Sequence, residues 1–429
     1  MNADARLHQV FAGILACLVL PLCATTAHAG LAIVPQPQRV VMGQGVFGLE
    51  PGLRISAPAD ARAQWIARFL GRAVRERTGV ESEVVPAPAG RAITLRIDPS
   101  IHGDEAYRLD VTPTGIAIAA SDDRGLFWGV QTLRQMLPLQ REPVVVIPAV
   151  HIEDWPRYPW RGVMLDVSRH FYPVSFIEKQ IDLMSYYKFD VFHWHLTDDQ
   201  GWRIQIKRHP GLIRVGAWRT GADGKRHGGY YTQRQIREVV DYASKRNVMV
   251  LPEIEMPGHT TAAIAAYPGI SCSGKPAEVL AGRGGTYRVD CVKPATFRFL
   301  EDVLDEVVAL FPAPYVHIGS DEVPASAWSD CASCLELARA NGLDGEAGLH
   351  SYFVRHIQQY LARHGKIMIG WDELLEGGMD ANAIVEVWHD QDAADAIANG
   401  NRIILAGPFY LDHVAASVDD RTLQDLYRA

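Results

Sequence analysis

The chain has 429 residues, 48% of them hydrophobic, and a formal net charge of -8 at pH 7. That length allows two domains with substantial cores. An acidic balance with no long basic run excludes a nucleic-acid-binding role, because phosphates demand a clustered positive face. The composition points instead to a small, neutral partner.

Arg6 precedes an apolar segment, Val10 to Leu22, and Ala27-His28-Ala29 places small residues after it. This is the pattern of a secretory signal peptide over residues 1–29, with the mature chain starting near Gly30. The segment is too short to span a bilayer comfortably and no second one follows, so stable membrane insertion is not expected. A retained anchor is the plainer alternative; lipidation at Cys17 or Cys23 fits less well. Export implies a periplasmic or secreted protein in an oxidising compartment. Cys272, Cys291, Cys331 and Cys334 are then expected as two disulfides, Cys272–Cys291 around a Gly-rich loop and Cys331–Cys334 locally. A zinc site built from all four is the rival.

Residues 30–150 read as a small α+β domain. Ile66, Phe69, Leu70 and Val74 recur at helical spacing within Asp60 to Arg77, and Gly125 to Leu137 reads as a second helix. Ile93 to Ile97 alternates as a half-buried strand does. Tyr107, Leu109 and Val111 alternate too, and Pro113-Thr114-Gly115 turns the chain into Ile116 and Ile118, a hairpin signature. The domain carries no catalytic cluster, and its expected role is support.

Pro156 and Pro159 punctuate the boundary, and residues 151–429 alternate strand-like runs with amphipathic helices, the order of a parallel (β/α)8-type TIM barrel. Seven runs are legible: Val163–Val167, Phe192–Leu196, Val248–Leu251, Val316–Ile318, Ile367–Ile369, Ile384–Val387 and Ile403–Leu405. Each ends in polar or aromatic residues, where an α/β barrel builds its site. Asp412 to Ala429 offers no convincing eighth strand, so a truncated barrel is expected, or closure by something else.

Asp321 and Glu322 are the most pointed feature. Consecutive strand residues face opposite ways, so these acids are not expected to flank one glycosidic bond as two separated carboxylates would. One would donate a proton and the other would take a different task. The donor would need a raised pKa, from burial or a neighbouring carboxylate.

Arg161 to His170, Phe192 to Arg203, Pro252 to Thr260 and His317 to Glu322 together resemble the β-N-acetylhexosaminidases of glycoside hydrolase family 20. The resemblance runs from about Tyr107 through Asp412. It implies exo-acting removal of terminal β-linked N-acetylglucosamine or N-acetylgalactosamine from an oligosaccharide or glycoconjugate, with no cofactor and no metal. It also implies that the substrate's own 2-acetamido oxygen attacks the anomeric carbon, an exception among glycosidases to the two-carboxylate scheme. Glu322 would be the acid and then the base, and Asp321 would orient the acetamido group. Tyr410 would bind the acetamido oxygen, Trp371 and Trp388 would wall the methyl pocket, Arg169 and Asp412 would hold sugar hydroxyls, and Asp198 with His259 would support the acid. Ser320 departs from a frequent glycine. The resemblance leaves a last-strand tryptophan and glutamate without counterparts, so a truncated, inactive or merely sugar-binding homologue is one alternative. His193-Trp194-His195 supplies another: two histidines on one strand face, similar to metal-dependent barrel hydrolases, with His259 or His317 as a third ligand. The sequence leaves the oligomeric state open.

Overall fold

The structure is a computed structural model that describes residues 31–409, apart from 88–89, 222, 283–286, 325, 378 and 390–391. The first domain is a seven-stranded sheet under two helices. Its elements are β1 (Arg39–Leu49), β2 (Leu53–Ser56), α1 (Ala61–Thr78), β3 (Ser82–Val85), β4 (Ala92–Ile97), β5 (Tyr107–Thr112), β6 (Gly115–Ala120), α2 (Asp123–Gln135) and β7 (Val145–Asp154). The sheet order is β1-β7-β5-β6-β4-β2-β3. Asp60 caps α1 by accepting the Ala63 amide at 2.8 Å, and Asp122 caps α2 through the Gly125 amide at 2.7 Å. Ile66, Phe69, Leu70 and Val74 are all buried, as their spacing predicts. The hairpin pairs Thr112 with Gly115 across the expected turn.

Two corrections arise here. β7 runs to Asp154, past the boundary expected at residue 150, because its pairing with β1 continues to Glu153 and that with β5 to Asp154. Strand β1 escapes a sequence reading because Val40, Val41, Met42 and Val46 are exposed, so no alternation marks it.

The second domain is a curled parallel sheet. It comprises β8 (Gly162–Asp166), α3 (Val174–Tyr186), β9 (Val191–His195), the short pairs β10 (Thr197–Asp198) with β11 (Gly201–Trp202) and β12 (Trp218–Thr220) with β13 (Arg226–Gly228), then α4 (Gln233–Ser244) and β14 (Met249–Glu253). It continues with α5 (Thr261–Ala266), α6 (Pro294–Leu310), β15 (Tyr315–His317), α7 (Ala332–Ala340), α8 (Gly345–Arg363), β16 (Ile367–Trp371), β17 (Ile384–Val387), α9 (Asp392–Ala398) and β18 (Arg402–Leu405). Among the described residues the seven long strands pair in chain order, β8-β9-β14-β15-β16-β17-β18, all parallel. These are the seven runs legible in the sequence. The fold is an α/β sheet of TIM-barrel type. No helix among the described residues is long and apolar enough to cross a membrane.

Period-two alternation sorts the strands into two faces. Phe192, Trp194, Val250, Val316, Met368 and Val385 belong to the large core shared with the helices. The opposite face carries an apolar layer, Val191, Leu251, Ile369 and Ile384, and beyond it, toward the strand C-termini, a layer of charged and aromatic groups.

A buried polar seam joins the domains. Lys188 donates to Asp154 and to the Tyr107 hydroxyl at 2.8 and 2.9 Å, and that hydroxyl donates to Asp154 at 2.8 Å. Arg161 and the Trp128 indole both donate to Glu105, at 2.7 and 2.8 Å. Removing one partner of a buried pair strands the other charge. We therefore expect Lys188→Met to lower stability by about 3–5 kcal/mol, read as a lower urea midpoint, and Asp154→Asn in the same chain to recover part of the loss.

Candidate active site

The polar layer is built around Glu253, on β14. Its carboxylate meets His193 and His195 from β9 at 2.9 and 2.5 Å, His317 from β15 at 3.0 Å and the Trp371 indole from β16 at 3.0 Å. Burial alone would raise the Glu253 pKa, but the three histidines hold it well below the usual carboxylate range. Burial likewise opposes charge on the histidines. The Glu253 carboxylate prevails, pushing His193 up to about 9 and His195 up to about 10. The imidazoles converge on the Glu253 carboxylate, and His193, Glu253 and His317 each bring one ligand atom within 4.8 Å of the others.

Above this layer the loops after successive strands meet. Asp198 accepts from His195 at 2.9 Å and pairs with Arg169 at 2.7 Å and with His259 Nδ1 at 3.3 Å. Asp199 lies 3.1 Å from the same Nδ1 and is fixed by the Thr261 amide at 3.0 Å and by the Thr261 hydroxyl. His259 Nε2 then faces Asp321 and Glu322, each at 3.4 Å. Burial disfavours charge on His259, but the hydrogen bonds to these four carboxylates outweigh it and keep the ring protonated.

The two adjacent acids do not point to opposite faces as a strand would dictate. β15 ends at His317, and Gly319, Ser320 and Glu322 have φ of 66°, 76° and 49°. This left-handed path, strained for Ser320 and Glu322, brings both side chains to one imidazole. Gly319 has no alternative: a Cβ there would lie 1.7 Å from a carboxylate oxygen of Glu255. Ser320 is buried without crowding, its hydroxyl 2.8 Å from His350 Nε2. The acids differ in reach, the Asp321 side chain being 18% exposed and that of Glu322 61%. Asp321 Oδ1 is buried with no hydrogen-bond partner among the described residues. The Glu322 pKa is lowered, not raised, because the hydrogen bond from His259 outweighs its partial burial.

Trp371 is 4% exposed, held by the hydrogen bond from its indole to Glu253. Trp388 is half-buried, and its indole donates to Glu373 at 3.2 Å. Tyr410 and Asp412 lie outside the described residues. Sequence reasoning did not assign Asp199, Glu253, Glu255 or Glu373 to the site. Burial, reinforced by the charges of Asp321 and Glu253, pushes Glu255 well up, so it stands neutral beside Asp321. Burial pushes Glu373 up to about 7, aided by Asp321. The alternation Leu251-Pro252-Glu253 and the following Glu255 were the available signal. Cys272, Cys291, Cys331 and Cys334 do not form the two expected bridges: all four are free thiols in one cluster.

Residues 158–426 match the sequence profile of the glycosyl hydrolase family 20 catalytic domain, and residues 30–155 that of the family's domain 2. The chain belongs to glycosyl hydrolase family 20. Within family 20 it is 40% identical to the beta-hexosaminidase of Porphyromonas gingivalis over 90% of this chain and 51% of that protein. It is 36% identical to the beta-hexosaminidase of Vibrio furnissii over 90% of this chain and 65% of the relative. The chain therefore spans about half to two thirds of the length of these relatives. Its fold superposes on the crystal structure of β-N-acetylhexosaminidase from Bacteroides fragilis with a TM-score of 0.77 at 32% identity, covering 87% of this chain and 74% of the other. It superposes equally well, TM-score 0.77 at 35% identity, on Streptomyces plicatus N-acetyl-beta-hexosaminidase in complex with Thio-NAglucal, over 87% and 73% of the two chains.

Two outcomes follow from the polar layer. His193 and His195 have folded pKa values raised above the ordinary 6.5, so their stabilising contribution is complete below about pH 6.5 and disappears as pH rises through about 9 to 10. Urea unfolding should show stability falling across that window, and Glu253→Gln should be less stable at neutral pH with a flatter profile. Gly319→Ala should cost at least about 2 kcal/mol, from backbone strain and the clash with Glu255, in the same assay.

Proposed function

We propose that this chain removes terminal β-linked N-acetylhexosamine by substrate-assisted retaining hydrolysis. The observation that carries the reading is the pairing of an outward acid, Glu322, with a recessed one, Asp321, whose buried Oδ1 lacks a partner among the described residues. A buried acceptor without a donor is costly, and an acetamido N–H would satisfy it. Family membership and the named relatives support the same reading.

The acetamido oxygen attacks the anomeric carbon as the glycosidic C–O bond breaks. Asp321 accepts the acetamido N–H and offsets the positive charge that develops there in the cyclic intermediate. Glu322 gives a proton to the departing oxygen, then takes one from the water that opens the intermediate, which retains configuration at the anomeric carbon.

The lowered pKa of Glu322 fits this role through its partner. In the resting site the proton sits on His259 Nε2, with Glu322 ionised. A sugar seated over the pair removes water from both charges, which favours the neutral pair and moves the proton to Glu322. Asp198 and Asp199 hold Nδ1, so the ring keeps its orientation. Arg169, anchored on Asp166 and Asp198 yet 43% exposed, can still offer N–H groups to a sugar hydroxyl. The N-terminal apolar segment supports action outside the cytoplasm, as part of the same proposal.

Nitrophenyl β-N-acetylglucosaminide should be cleaved with retention, and the matching β-glucoside, which lacks the internal nucleophile, should hardly turn over. Comparable rates on both would sink the mechanism; binding without cleavage would favour a sugar-binding role. Glu322→Gln should lower kcat by about 10²–10⁴-fold.

A further inference from the structure

Four thiols gather away from the acids, contributed by three separate stretches of chain. Cys272 follows α5, Cys291 precedes α6, Cys331 caps α7, and Cys334 lies in its first turn. Their sulfurs all lie within 4.8 Å of one another. Cys272–Cys334, Cys291–Cys334 and Cys291–Cys331 are separated by 3.5, 3.4 and 3.6 Å, and Cys331–Cys334 by 2.6 Å. A tetrahedral ion with metal–sulfur bonds of about 2.3 Å would place its ligands about 3.8 Å apart. Three of the four separations are close to that edge, and the fourth would have to open by about 1 Å to reach it.

We infer that Cys272, Cys291, Cys331 and Cys334 bind one zinc ion as a structural four-thiolate site. Disulfides would divide the cysteines into pairs, yet Cys334 approaches all three others. Cys291, Cys331 and Cys334 are buried, which suits a closed structural site with no position left for a substrate. The surroundings also favour thiolates. The Cys334 amide donates to Cys331 sulfur at 3.3 Å, and both residues stand at the N-terminus of α7. Lys293 is held beside the cluster, its ammonium donating to the Ser271 carbonyl at 2.9 Å. Binding converts four thiols and Zn²⁺ into a complex of charge 2− and releases four protons, so no oxidant is consumed.

The site would clamp the loop carrying the acids. Asp321 and Glu322 lie between β15 and α7, and the Trp328 indole in that loop donates to the Asp290 carbonyl at 2.9 Å. Asp290 in turn donates its amide to Pro257, two residues before His259, at 2.8 Å. A zinc ion joining Cys291 to Cys331 and Cys334 would fasten the same two loops a second time.

The test is metal and thiol content of the chain after removal of residues 1–29, which carry Cys17 and Cys23, purified without chelator. Elemental analysis should find one zinc per chain, and denaturation with a chelator should expose four titratable thiols. Stepwise organomercurial titration of the unmutated protein should release that zinc as the four thiols react. Cys331→Ser with Cys334→Ser should drop zinc below a tenth per chain and lower the melting temperature. A chain without zinc whose mass is lower by four hydrogens, with no free thiols, carries two disulfides and overturns the inference. So does a chain with four free thiols that binds no added zinc.

Discussion

The architecture of the site depends on one carboxylate. Glu253 stands where strands β9, β14, β15 and β16 converge, and ionising it there is tolerable only because three imidazoles crowd round it and the His195 ring and the Trp371 indole hydrogen-bond to it. An apolar residue at that position would strip His193, His195 and His317 of the carboxylate they share. The histidines fix the height and tilt of everything above, since His195 also orients Asp198, and Asp198 holds Arg169 and His259. The chemistry thus rests on a charged plug in the barrel rather than on the loops alone.

Charge alternates outward from that plug. Glu253 is negative, His193 and His195 over it are drawn toward positive, Asp198 is negative, His259 is positive, and Glu322 completes the series. Glu255 and Glu373 escape the series by staying neutral or nearly so, which limits repulsion around Asp321.

The inner strands of the curled sheet were legible because parallel strands buried on both faces read as continuous apolar runs, and the half-buried edge strands β8 and β18 are apolar enough to read the same way. The site residues were legible as strand ends, and the structure brings Arg169, Asp198, His259, Asp321 and Glu322 together. What failed was local geometry. Alternation sent Asp321 and Glu322 apart, whereas the left-handed turn at Gly319 and Ser320 gathers them. The direction of the Glu322 shift was misjudged because its partner lies 63 positions earlier, at His259, beyond any local pattern. Cysteine pairing failed for a related reason, since sequence spacing does not reveal that three loops meet at one point. Strand β1 was missed because it shows its apolar side chains to solvent.

The seam at Lys188 is costly to open. Opening it would part a buried ammonium from its carboxylate, so the Lys188–Asp154 pair and the Tyr107 hydroxyl help hold the two domains together. The N-terminal domain thereby acts as a brace whose loosening would be felt first as lost heat tolerance.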